Sequence, residues 1–125
     1  MVRLAEIYLI YAEAVARGGA GGSNATALNY LQQLAVRARP TDPNAANSAL
    51  LTLPYIITER GRELMWEGHR RTDLIRYGQF TTGTYLWAWK GGVASGTGVD
   101  SKYNLYPIPN DDLAANPNLT QNPGY

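Results

Sequence analysis

Three glutamates at four-residue spacing, Glu59, Glu63 and Glu67, would line one face of a helix. Two carboxylates roughly 5 to 10 Å apart are what a glycoside hydrolase needs, one as acid and one as base or nucleophile. These acids are crowded by Arg60, Arg62, Arg70, Arg71 and Arg76. A nearby guanidinium favours the ionised carboxylate, the wrong direction for a general acid. The spacing therefore predicts a structural lattice of Arg, Glu and Asp that ties a third helix to a fourth. Arg60, Glu63, Glu67, Arg70, Asp73 and Arg76 belong to it, and no catalytic residue is assigned. Arg70 with Asp73, and Asp73 with Arg76, repeat at three-residue spacing and can pair on one helix face.

His69 is the sole histidine, and its neighbours are mostly arginines, which repel a cation. A metal site wants several converging donors with an organised outer shell, so no metal site and no cofactor are expected. No Ser-His-Asp arrangement and no phosphate loop occur. Gly91-Gly92-Val93-Ala94-Ser95-Gly96 is glycine-rich but does not run from a strand into a helix. Asn24-Ala25-Thr26 and Asn118-Leu119-Thr120 match the glycosylation pattern, which short sequences often do by chance.

One feature points to a ligand. Tyr85-Leu86-Trp87-Ala88-Trp89-Lys90 alternates with period two, which would place Tyr85, Trp87 and Trp89 on one side of an extended segment. Aromatic faces stack on the apolar C–H faces of sugar rings, so the three are candidate glycan-binding residues. The competing reading is that Trp87 and Trp89 are core, as large aromatics commonly are.

The elements that must position these groups read as helices. Residues 3–17 carry Leu4, Ile7, Tyr8, Tyr11, Ala12 and Val15 on one broad face, and a glycine-rich stretch from Gly18 stops them. Ser23 or Asn24 caps a second helix over 25–39, with Leu28, Leu31, Leu34 and Ala35 inward, ended by Pro40. The pair 3–39 looks like a loose tetratricopeptide-type unit, which normally stacks on neighbours. Residues 41–51 read as a loop. Thr52 and Pro54 start a third helix running from about 54 to 67, Gly68 allows a break, and a fourth covers about 69–77 with Gly78 as its cap. Residues 79–125 are loop-rich: Tyr106-Pro107-Ile108-Pro109 must be extended, and Asn110 or Asp111 can cap a helical turn through Ala115.

Composition narrows the function further. The 125 residues carry 11 basic and 10 acidic side chains, a formal net charge of +1. That balance, with no basic stripe, sets nucleic acid aside. The absence of cysteine removes thiolate chemistry and disulfides from this chain. No apolar run approaches the roughly 20 residues of a spanning helix.

Arg3-Leu4-Ala5-Glu6-Ile7-Tyr8-Leu9-Ile10-Tyr11-Ala12-Glu13-Ala14, the Glu59-to-Gly78 block, and Tyr106-Pro107-Ile108-Pro109 followed by Asn116-Pro117-Asn118-Leu119 and Gln121-Asn122-Pro123-Gly124-Tyr125 together resemble the SusD/RagB family of Bacteroidetes outer-membrane glycan-binding lipoproteins. The segments Tyr85 to Val93 and Tyr103 to Tyr106 look closest to its starch-binding branch. The resemblance implies an all-α fold of tetratricopeptide-like pairs with long irregular loops and an extended C-terminal tail. On that reading residues 1–125 are the C-terminal portion of a longer domain. It further implies non-catalytic oligosaccharide capture at the cell surface and delivery to a SusC-like TonB-dependent transporter for nutrient uptake. Membrane association would come only through an N-terminal lipid anchor outside this chain. The family's stacking aromatics lie largely upstream, so no binding residue is carried over from it. The alternative is a helical-repeat module that binds a protein through residues 3–39 and no sugar.

Overall fold

The computed structural model describes residues 2–125, and among them five α-helices and no strand occur. The helices are α1 Leu4–Ala16, α2 Asn24–Ala38, α3 Leu53–Glu63, α4 Arg70–Arg76 and α5 Asn110–Ala115. Short 3-10 turns lie at Ala46–Ser48, Lys90–Gly92 and Ser101–Asn104. The chain divides into two compact units, one ending at Arg70 and the other running from Arg71 to Tyr125.

In the first unit α1 and α2 form the expected helical pair, with α3 packed on α1. Ser23 caps α2 by accepting from the Thr26 N–H, and Thr52 does the same for α3 with Tyr55. Pro54 occupies the first turn of α3, where no donor is lost. Leu9, Leu31 and Ile56 fill the centre, and Ala12 and Ala27 let the backbones approach. Tyr30 stacks on Tyr8 with centroids 4.1 Å apart and meets Tyr11 edge-on at 5.3 Å. The Tyr11 hydroxyl accepts from the Ser23 N–H and pins the glycine-rich link.

Two sequence expectations change here. Of the expected face of α1, Ala12 is buried and Tyr8, Tyr11 and Val15 pack against the core, but Leu4, 66% exposed, and Ile7 do not, and Ala5, Leu9 and Glu13 take the buried positions instead. This helix is apolar almost all round, so periodicity does not select a face, and the small residues that admit α2 decide it. Second, α3 ends at Glu63, four residues before the expected Glu67. The chain turns through Leu64 to Gly68, with Trp66 at φ +67 and Gly68 at φ +79. Trp66 stands 94% exposed.

In the second unit Gly78, at φ +66, ends α4 as expected: its N–H bonds the Ile75 carbonyl, and the Gln79 N–H reaches back to Leu74 at 2.8 Å. The tail folds back on the loops that precede it. The Gln121 amide clamps both backbone groups of Ile108, accepting from its N–H at 2.8 Å and donating to its carbonyl at 2.9 Å. That contact gives the extended Tyr106–Pro109 segment the pairing that a strand would otherwise supply. Asn122 Nδ2 donates to the Tyr106 carbonyl, and the Tyr125 hydroxyl bonds the Leu105 carbonyl.

Candidate functional site

The charged block resolves into an arginine-saturated network. Glu63, nearly buried, accepts from Arg3 at 3.0 Å and from Arg37. Glu67 accepts from Arg3 at 2.6 Å. Arg3 also donates to the Glu63 carbonyl. The Arg3 hydrogen bond holds the Glu67 carboxyl below its ordinary range, and bonding to Glu67 and Glu63 pushes the Arg3 guanidinium above its own. Glu59 pairs with Arg62 at 3.4 Å, Asp73 with Arg76 at 2.9 Å, and Glu13 with Arg17 at 2.9 Å. Arg70, the first residue of α4, donates to the Ile57 carbonyl of α3, and its guanidinium lies close to Gly61, where an added Cβ would come within 2.9 Å of Nη1.

The acids are therefore paired with arginines, as their crowding implies. The partners of Glu63 and Glu67 differ from the expectation, because these acids bind α3 and its following turn to Arg3 and to α2. A cavity of about 340 Å³ does carry both Glu59 and Glu63, but Arg39 and Arg62 share its wall. His69 faces Glu6, with Nδ1 to Oε1 at 3.8 Å. Among the described residues no cluster of three or more His, Cys, Asp or Glu could hold a metal ion.

The second unit concentrates aromatic rings. Trp87 and Trp89 do not share one side of an extended segment. The chain turns at Ala88–Trp89, and Trp89 enters the left-handed region at φ +67 before the 3-10 turn Lys90–Gly92. Trp89 is 70% exposed, and Trp87 is 38% exposed. Tyr85 packs obliquely against Trp87, with centroids 6.1 Å apart. Of the three, Trp87 alone lines a cavity of about 790 Å³ in this unit, together with Phe80, Tyr103, Tyr106 and Tyr125.

Lys90 sets the geometry of this loop. It is 2% exposed, and its ammonium donates to the carbonyls of Thr82 at 2.5 Å, Tyr85 at 2.7 Å and Gln79 at 3.4 Å. The same Nζ lies 4.6 Å from the centre of the Trp87 ring. A second cation does similar work nearby. Arg71 places its guanidinium 3.9 Å from the Tyr106 ring centre and 5.1 Å from that of Phe80, and Nη2 donates to the Tyr103 carbonyl. Sequence reading missed Phe80, Arg71, Lys90, Asp100, Tyr106 and Tyr125 as neighbours. The one available signal was the density of Tyr in the closing segment, which carries no spacing rule.

The acids of the Glu59–Asp73 block are engaged by arginines, and the irregular second half gathers aromatic rings around a cavity. The chain belongs to the SusD family, whose model matches residues 1–125. It is 45% identical over all 125 residues to the starch-binding protein SusD of Bacteroides thetaiotaomicron, and spans 21% of that protein. It also aligns over 99% of its length with the crystal structure of a SusD superfamily protein from Bacteroides vulgatus, at a TM-score of 0.69 and 34% identity, covering 27% of that chain. The chain thus spans about a fifth to a quarter of the length of these relatives.

Proposed function

We propose that this chain is part of a non-catalytic glycan-binding protein that captures a starch-like oligosaccharide at the bacterial cell surface. Delivery to a SusC-like TonB-dependent transporter for nutrient uptake, and residence at the outer membrane, belong to the same proposal. The observation that carries it is the 45% identity, end to end, with a relative named for starch binding. Two features of the chain support it. The carboxylates of the Glu59–Arg76 block are engaged by arginines, which disfavours acid–base hydrolysis. Rings at Tyr85, Trp87 and Trp89 lie on a loop fastened from within by Lys90, and Trp89 offers an open stacking surface.

Calorimetric titration of the protein at its natural length with malto-oligosaccharides tests the reading. Saturable heat is expected, weakened about tenfold or more by Trp89→Ala, as the loss of one stacking ring implies. Absence of heat with malto-oligosaccharides and with a panel of other neutral glycans would overturn it.

The protein-binding alternative has one observation in its favour, the exposed stripe of Leu4, Ile7 and Ile10 on α1. It predicts a pull-down that survives Trp87→Ala and Trp89→Ala but is lost with Ile7→Lys.

A further inference from the structure

We propose that the cavity walled by Phe80, Trp87, Tyr103, Tyr106 and Tyr125 is a saccharide site in its own right, and that it takes an uncharged pyranose unit. This inference rests on the glycan reading above, but not on the Trp89 platform, which does not line the cavity. Its volume of about 790 Å³ falls within the range of small-molecule sites.

The cavity has a stiff platform. Tyr106 is 69% exposed although Arg71 is stacked against one face of its ring, so the open area belongs to the other face and the edge. The ring is held from several directions. Pro107 follows it, Asn122 grips its carbonyl at 2.7 Å, and the Arg71 that backs it is itself tied to Tyr103 at 2.7 Å and packed on Phe80. A platform ordered before binding loses little freedom when a ligand arrives.

The electrostatics select the charge of the ligand. Both cations in the wall are already committed. The Lys90 ammonium is buried on main-chain carbonyls, and the Arg71 guanidinium stacks between two rings and donates to a third carbonyl. Asp100, the acid in the wall, gives one carboxylate oxygen to the Lys102 N–H at 2.8 Å and keeps acceptor capacity on the other. An anionic sugar would meet that carboxylate, and a further cation near the wall, Lys102, donates to the Gly124 carbonyl and lies over the Tyr103 and Tyr125 rings. A neutral sugar brings hydroxyl donors for Asp100 and a C–H face for Tyr106, which the wall is built to accept.

The test uses the protein at its natural length carrying Trp89→Ala, which removes the exposed platform. Titration with maltotriose, followed by tryptophan fluorescence because Trp87 lines the cavity, should retain weak saturable binding. Adding Tyr106→Ala should weaken that binding at least tenfold, Tyr106→Phe should preserve it, and oligogalacturonate should produce no response. If Tyr106→Ala does not fold, Leu105→Arg, at an exposed side chain on the rim, supplies the blockade and should give the same loss. The inference is overturned if Trp89→Ala alone abolishes binding, if folded Tyr106→Ala or Leu105→Arg binds like its parent, or if oligogalacturonate binds as well as maltotriose. In the first case the parent still binds and the broader glycan reading stands. If the unsubstituted protein binds no neutral glycan, that reading fails and takes the cavity site with it.

Discussion

Replacing Lys90 by methionine removes the ammonium while keeping a stem of similar length in the same buried channel. Three carbonyls then lose a charged donor: Thr82 at 2.5 Å, Tyr85 at 2.7 Å and Gln79 at 3.4 Å. A hydrogen bond to a charged group contributes about 1.5 to 3 kcal/mol, and a buried acceptor left alone costs about 1 to 3 kcal/mol. Only the two short contacts merit full weight. Thr82 is exposed, so water can serve its carbonyl once the loop loosens. Burying the ammonium in the native protein also carries a desolvation cost that disappears with it. Together these place the net loss at about 2 to 4 kcal/mol.

The loss should be local to the loop. The Thr97 N–H bonds the Lys90 carbonyl at 3.1 Å, and the Val99 N–H bonds the Thr81 carbonyl at 2.9 Å. Their amide exchange should speed up by roughly 30- to 900-fold, the factor that such a loss implies at about 1.36 kcal/mol per decade. Near-ultraviolet dichroism should change as well, because Trp87 loses the cation beside its ring. In Lys90→Ala, added ethylammonium should restore both signals, whereas sodium at equal ionic strength should not. Lys90→Arg should not substitute, since a planar fork cannot meet three carbonyls that converge on one point. Exchange at Thr97 and Val99 within twofold of the parent in Lys90→Met would refute the reasoning.

In the first unit, Glu63→Gln should cost about 1 to 3 kcal/mol in urea melts. It removes the charge and one of the two carboxylate oxygens that Arg3 and Arg37 share, and the partial exposure of both arginines keeps the cost below that of a fully buried pair. Glu67 adds a pH dependence. Its folded pKa lies below the unfolded value of about 4.3. The unfolded chain therefore takes up that proton first, so the contribution of the pair is whole above that value and is lost as pH falls through the depressed one. Thermal midpoints measured across acid pH should lose part of their slope in Glu67→Gln, and the effect should shrink in high salt. Trp89→Gly should raise the stability of its turn by about 1 kcal/mol, because glycine occupies the left-handed region without strain, while weakening glycan binding in the same titrations used for Trp89→Ala.

Helix starts and stops were legible because their signals are local. Ser23, the Thr52–Pro54 pair and Gly78 each act within four residues of themselves, and each does what its chemistry predicts. The end of α3 was not legible. Gly68 advertises a break, but the helix has already stopped at Glu63, and nothing in Leu64-Met65-Trp66-Glu67 forbids another turn. The charged lattice was legible in kind and not in wiring. Crowded arginines foretold that the acids would be paired, yet Arg3 lies 60 residues from Glu63 and no spacing rule reaches that far. The aromatic segment failed for a different reason. Its period-two pattern is real, but the chain turns at Ala88–Trp89 with Trp89 itself at positive φ, and the glycines at 91, 92 and 96, all at positive φ, continue the turning. Gly96 admits nothing larger, since an added Cβ would sit 2.5 Å from the Trp87 carbonyl.

That tight turn bears on how the two tryptophans divide their work. Trp87 has Lys90 against its ring, Phe80 stacked at 6.1 Å and Tyr85 at its flank, so most of its surface holds the loop together and a limited part reaches the cavity. Trp89 is the reverse case. A bulky residue in the left-handed region costs about 1 to 2 kcal/mol, and its side chain is largely in solvent. The backbone offsets that strain through a small knot of bonds: Lys90 N–H to the Trp87 carbonyl, Gly92 N–H to the Trp89 carbonyl, and Gly96 N–H to the Val93 carbonyl. The buried ammonium beneath fixes the knot in place. A strained, exposed indole held by this many internal bonds is the feature that the Trp89→Gly and Trp89→Ala titrations probe: glycine there should relax the backbone, and any loss of glycan binding would assign the ring its role.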